Sequence, residues 1–229
     1  LQYRLEQIDI HNVSSNAVPA IRNDEGDWND SSLRLTFVHD SRDSVFIPTR
    51  GGKLSLSGFA SGGPLGFDVD VYGFEGDGTI HLPLLFDHVL SLRGWVKTVE
   101  SYGGTDTVPV FDRLFLGGPR TLRGYRYLEV SPYEGGQPVG GRSAALATVE
   151  YTVPLYKNIL RAAAFYDAGQ VWSPAFDFRL SEYCSDIGLG LRLDIPMFPI
   201  RLDYAWPLER SGEVERTGAR FNFWLGYGF

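Results

Sequence analysis

The side chains that could carry chemistry in this sequence are few and scattered. There are four histidines, His11, His39, His81 and His88. Two of them adjoin an aspartate, as His39-Asp40 and Asp87-His88, but no nucleophile elbow accompanies either pair. A hydrolase of the serine–histidine–aspartate kind therefore has no constellation to build on, and both histidines read as polar strand-end residues. Dispersed histidines and a single cysteine, Cys184, make no zinc set, and a lone thiol forms neither an internal disulfide nor a thiolate cluster. Cys184 reads as an inert strand-end residue. The acids within 24–30 and the EGDG at 75–78 lack EF-hand spacing and read as solvated loops rather than calcium sites. A net charge of -7 with no basic cluster excludes a phosphate-tracking surface, so nucleic acid is not an expected partner. The expectation is a protein that is not an enzyme and uses no metal or cofactor.

The elements that would position the remaining charges are strands. Apolar and polar residues alternate with period two in many segments, the mark of a strand with one apolar face. Leu33, Leu35 and Phe37 alternate with Arg34 and Thr36; Leu54 and Leu56 with Lys53 and Ser55; Phe67, Val69 and Val71 with Asp68 and Asp70. Leu90, Leu92 and Val96 oppose Ser91, Arg93 and Lys97, and Val149 and Tyr151 oppose Thr148 and Glu150. Leu189 and Leu191 oppose Arg192, Leu202 and Tyr204 oppose Arg201 and Asp203, and Phe221, Phe223, Leu225, Tyr227 and Phe229 oppose Asn222 and Trp224. With the opening segment and 159–172, ten strands are predicted. Short connections rich in Pro or Gly, such as Pro48 to Gly52 or Pro196 to Pro199, alternate with longer polar ones at 14–30, 102–142, 173–184 and 208–217. No stretch is apolar enough for a membrane helix, but barrel strands need only about 9–11 residues each.

A soluble β-sandwich also has one-sided strands. Two features favour a membrane barrel. The second face carries charge in nearly every strand, including Glu150, Asp167, Arg192 and Asp203, as a water-filled lumen accepts. Aromatics such as Tyr151, Tyr204 and Trp206 sit near strand ends, where interfacial girdles belong. The predicted fold class is all-β: an antiparallel transmembrane β-barrel, as a single domain over 1–229.

Specific motifs narrow this further. The ending FNFWLGYGF resembles the β-signal of outer-membrane proteins, carried here by Phe221, Phe223, Leu225, Gly226, Tyr227 and Phe229. The segment FDRLFLGGPRTLRGYRY (111–127) resembles the sixth extracellular loop of the BamA family, whose tetrad reads here Leu122, Arg123, Gly124, Tyr125. ATVEYTVP (147–154) and FYDAGQVW (165–172) resemble the strands that follow it, and HDSRDSVFIPTRGGKLSLSG (39–58) and GLGLRLDIPMFPIRLDYAWPL (188–208) resemble two of its hairpins, the latter with Pro-Met-Phe-Pro in place of Pro-x-Gly-Pro. The resemblance covers most of 31–229.

The resemblance implies a lumen lock: Arg123 held by Glu150 and Asp167 on the inner wall, with Gly124 and Tyr125 beside it. A guanidinium can bind carboxylates through parallel hydrogen bonds, which fixes direction as well as charge. Gly124 would allow close approach or a positive φ. The ten strands resemble the last ten of a sixteen-stranded barrel, with the family's periplasmic POTRA domains absent from the sequence. The implied function is the barrel segment of an assembly factor that inserts and folds β-barrel proteins in the bacterial outer membrane. Implied partners are outer-membrane lipid, client β-barrel proteins, assembly-complex lipoproteins of the parent protein, and further copies through exposed edge strands. A translocation pore of a two-partner secretion transporter, or an inactive truncated barrel with a structural role, are the alternative functions.

Overall fold

The computed structural model describes residues 1–229 except 158, 180, 196, 197, 213, 215–217 and 227–229. Ten antiparallel strands form one sheet: β1 (Gln2–Ile10), β2 (Gly26–Asp40), β3 (Gly51–Ser61), β4 (Val71–Pro83), β5 (Val89–Ser101), β8 (Ser143–Tyr156), β9 (Leu160–Trp172), β10 (Cys184–Leu193), β11 (Ile200–Pro207) and β12 (Arg220–Leu225). Neighbours in the sheet are neighbours in sequence. The one long excursion, between β5 and β8, carries a small hairpin of β6 (Tyr133–Glu134) and β7 (Gln137–Pro138). Among the described residues one short α-helix, α1 (Pro19–Arg22), lies between β1 and β2, and 3-10 turns occupy Gly63–Leu65 and Leu85–Asp87. Among the described residues β1 pairs only with β2, and β12 only with β11, so the wall is open rather than closed on itself.

The predicted two-faced pattern sorts the side chains. Leu35 (66% exposed), Phe37, Leu189 and Phe221 (65% exposed) stand outward, while Glu150, Asp167, Arg192 and Asp203 are buried on the opposite side. An apolar patch of this extent has no place in water. It suits a wall facing lipid, with Tyr151, Tyr204 and Trp206 outward on it.

Two expectations are corrected at β4. Residues 67–71 do not form a strand with a lipid-facing side; Val69 and Val71 are completely buried, in a core that also contains Leu116, Leu122, Tyr125 and Val130. That core lies where the long loop 102–142 packs on the inner wall, so inward apolar residues are satisfied there by a folded-in loop. EGDG at 75–78 is not a loop but the middle of β4. Its acids face inward, Glu75 pairing with Arg34 at 3.3 Å and Asp77 with Arg93 at 2.8 Å. Similarly, the acidic stretch 24–30 mostly belongs to β2, which starts at Gly26, with Asp30 buried.

The loop is fixed at both ends of the sheet. Near β2, Val110 N–H donates to Asp24 Oδ2 at 2.8 Å, and Arg113 donates to the carbonyls of Val108 and Ala20. Near β12, Asn222 Nδ2 donates to the carbonyl of Arg123 at 2.8 Å.

Candidate functional site

The inward faces of β8 to β11 form rows set by their register. Thr148, Asp167 and Asp186 share one row, Glu150 and Phe165 the next. Gly190, Asp203 and Asn222 share a further row, and Arg192, Arg201 and Trp224 the one beyond. These rows present carboxylates, guanidiniums and two aromatic rings, Phe165 and Trp224, to the loop above them.

Into this surface the loop inserts Arg123, which is 3% exposed. Its Nε donates to Asp167 Oδ2 at 2.7 Å and its Nη2 to Asp167 Oδ1 at 2.9 Å, a two-bond fork. Its Nη1 donates to Glu150 Oε2 at 2.8 Å and lies 3.8 Å from Asp203 Oδ2. The guanidinium also stacks on Phe165, 3.3 Å from the ring centroid. Thr148 Oγ1 donates to Asp167 at 2.8 Å, and Arg192 bridges Glu150 and Asp203 at 2.8 and 2.7 Å. Such a cluster exchanges hydration for charge-assisted hydrogen bonds, so every partner left behind by a deletion is costly.

The neighbours of Arg123 are held as tightly. Gly124 packs against β10 and β11: a Cβ there would lie 2.6 Å from Asp186 Cβ and 3.1 Å from Pro207 N. Close approach is thus the reason for glycine at 124; its φ is not in the positive region. Gly117 is the position that needs positive φ, at +110°, and a Cβ there would lie 2.0 Å from the Arg126 carbonyl oxygen. Tyr125 is completely buried, and its hydroxyl donates to the carbonyls of Ser185 and Glu209. Outside the cluster, Arg120 stacks over Trp224 of β12 at 5.0 Å.

The structure therefore brings Arg123, Gly124, Tyr125, Glu150 and Asp167 into one cluster. Sequence reasoning had marked Arg192 and Asp203 only as inward charges and had not assigned Phe165, Thr148, Asp186 or Asn222 to it. The row register that unites them is the missing signal. Asp186, the cross-strand partner of Asp167, is completely buried, with the backbone of Gly124 packed against it. Of the terminal residues, Phe221, Phe223 and Leu225 stand outward from β12, and Gly226 follows with φ +136°. Tyr227 and Phe229 lie outside the described residues. Among the described residues no group of three or more His, Cys, Asp or Glu side chains is arranged to hold a metal ion. His88 is bonded to Tyr151 and His81 to Ser91, each in a polar contact of the wall rather than a triad.

Comparison with known proteins agrees with this architecture. The model of the Omp85 superfamily domain matches residues 1–229. The chain is 30% identical, over 99% of its length, to the outer membrane protein assembly factor BamA of Nitratidesulfovibrio vulgaris. It is 29% identical over its whole length to a SAM50-like protein of Drosophila melanogaster. It spans 29% of the first relative and 52% of the second. The crystal structure of BamA from Haemophilus ducreyi lacking POTRA domains 1-3 superposes with a TM-score of 0.74, over 85% of this chain and 42% of that one, at 21% identity.

Proposed function

The chain belongs to the Omp85 superfamily, and from that premise we propose that it is the membrane wall of a factor that inserts and folds β-barrel proteins in a bacterial outer membrane. The bacterial setting is proposed because the relative that is 30% identical over nearly the whole chain is a bacterial outer membrane assembly factor. The observation that carries the reading is the last strand. β12 pairs on one side with β11 and is held from inside by Asn222 and Trp224, while its other backbone edge has no strand partner among the described residues.

An unpaired edge offers a row of N–H and C=O groups to an incoming strand, and its outward Phe221, Phe223 and Leu225 continue the lipid-facing surface. In lipid, a client's backbone groups have no water to bond, so edge pairing and burial of the client's apolar face drive assembly without covalent chemistry or nucleotide. The lumen cluster around Arg123, Glu150 and Asp167 would act as a lock that keeps the inner loop docked and the wall stiff while β12 exchanges partners. Clients, the lipoproteins of an assembly complex, further copies meeting at edge strands, and the single-domain organisation over 1–229 belong to the same proposal.

The test is reconstitution of the full-length parent protein in liposomes with an unfolded client barrel, and a photo-crosslinker at position 223. Folding of the client several-fold faster than in protein-free liposomes, with crosslinks from 223 to the client's terminal strand, is expected. No acceleration and no crosslink would overturn the proposal.

A further inference from the structure

Asp167 of β9 and Asp186 of β10 stand directly opposite each other on the inner wall, and both are completely buried. Directly opposed residues of antiparallel strands have Cβ atoms about 4.5–5.5 Å apart, and like charges in that position are destabilising. Here the two carboxyls meet within hydrogen-bond reach. An ionised carboxylate only accepts, so a hydrogen bond between two carboxyls needs a proton on one of them.

The surroundings decide which one. A carboxylate offers about four lone-pair sites. At Asp167 three are taken: Oδ2 accepts from Arg123 Nε, and Oδ1 from Arg123 Nη2 and Thr148 Oγ1. Asp167 is therefore the ionised partner, with a cation in a two-bond fork and one site to spare. Asp186 is reached by the backbone N–H of Gly124. Neither buried guanidinium donates to it: among the described residues, the donors of Arg123 go to Asp167 and Glu150, and those of Arg192 to Glu150, Asp203 and the carbonyl of Leu191. The other titratable groups beside it are Tyr125 of the loop and Cys184 of β10, both neutral in their ordinary state at pH 7, with Glu129 and Arg210 beyond them. The next row along the wall holds Glu150 of β8 and Arg220 of β12, and the row after it holds Asp203 of β11.

We infer that Asp186 is held as the neutral acid and donates its O–H to Asp167, which makes it a positioning residue of the lumen lock. The O–H fills the last site on Asp167 and keeps that carboxylate from turning away from Arg123. Removing the proton would set two carboxylates side by side where no water reaches, and would loosen the fork. This rests on the reading of Arg123 as the lock on the inner loop.

The test uses the full-length parent protein folded in detergent, with two readouts. In the infrared, a carboxylic-acid C=O band should be present in the wild type at pH 7 and absent in Asp186→Asn, and it should vanish as the wild type is taken to alkali. In heat-modifiable gel migration, the sign follows from proton binding. Above about pH 4 the unfolded chain has lost the proton that the folded chain keeps, so stability falls as pH rises until Asp186 itself ionises. Over that window the wild-type midpoint should fall by about 3–5 °C per pH unit relative to Asp186→Asn. Asp186→Asn, whose amide N–H replaces the O–H, should melt at or above the wild type at pH 7. Asp186→Leu, of similar size but with no donor, should melt roughly 5 °C below Asp186→Asn. Absence of a band that Asp186→Asn removes overturns the inference. So does an Asp186→Asn midpoint below that of the wild type at pH 7 that draws level on acidification, the mark of an ionised Asp186 paired with a cation. Equal midpoints for the Asn and Leu variants mean that position 186 only fills space, and overturn it as well. Arg123→Ala, melted alongside, separates the failures: an unchanged midpoint there sinks the lock itself, whereas a lowered midpoint with no band from Asp186 overturns this inference alone.

Discussion

Replacing Arg123 with alanine removes three charge-assisted hydrogen bonds, of 2.7, 2.9 and 2.8 Å, together with the stack on Phe165. The two acids do not suffer equally. Glu150 keeps both bonds from Arg192, at 3.2 and 2.8 Å. Among the described residues Asp167 keeps only the Thr148 hydroxyl, at 2.8 Å, and the carboxyl of its strand neighbour Asp186. The loss is therefore that of one buried ion pair with its carboxylate left behind, about 3–5 kcal/mol. For a chain of this size, at roughly 2–4 °C per kcal/mol, the thermal midpoint should fall by on the order of 10 °C. The assay is heat-modifiable gel migration of the folded protein in detergent across a temperature series. Arg123→Lys, which restores charge but not the two-bond fork, should lie between wild type and Arg123→Ala. A double-mutant cycle with Asp167→Ala isolates the pair, and a coupling of about 2 kcal/mol is expected. An unchanged midpoint for Arg123→Ala, or strictly additive losses in the cycle, would refute the reasoning, because either would mean that the fork contributes nothing to holding the loop.

Two further outcomes follow from features beside the lock. Gly124→Ala sets a methyl group 2.6 Å from Asp186 Cβ, against backbone of β11 that cannot yield, and should cost about 1–3 kcal/mol in the same melting assay; a neutral result would mean that loop and wall are not in contact there. Asp70 accepts from the backbone N–H of Gly104 at 2.9 Å and of Gly63 at 2.7 Å, and these bonds hold its carboxyl below the ordinary carboxylate range. Because its folded value is the lower one, the clasp contributes fully above about pH 4 and is lost as pH falls through the folded value. Amide exchange at Gly63 and Gly104 should accelerate on acidification and be insensitive to pH, beyond intrinsic rates, in Asp70→Asn.

Alternation alone was enough to find the wall, because lipid on one side and charge on the other impose period two on most strands. It failed where the lumen is not watery. Val69 and Val71 alternate with aspartates as an outward pair would, yet they face a loop packed inside, and period two cannot tell one apolar neighbour from another. It failed again at EGDG, where two glycines disguised the middle of β4 as a turn while Glu75 and Asp77 kept the inward beat. At the site, Arg123, Glu150 and Asp167 were legible because local motifs surround each of them. Arg192, Asp203 and Asn222 were legible as inward side chains but not as members of the cluster, since membership depends on which residues of adjacent strands stand opposite one another. The apolar residues of the loop, Leu114, Leu116 and Leu122, have no period to read, because an irregular segment buries them singly.

Arg123 precedes Glu150 by 27 residues and Asp167 by 44, and the backbone of its loop waits 99 residues for Asn222. The lock therefore closes only when strands far apart in the sequence stand in register, and a displaced strand in the second half would leave the guanidinium without one of its carboxylates.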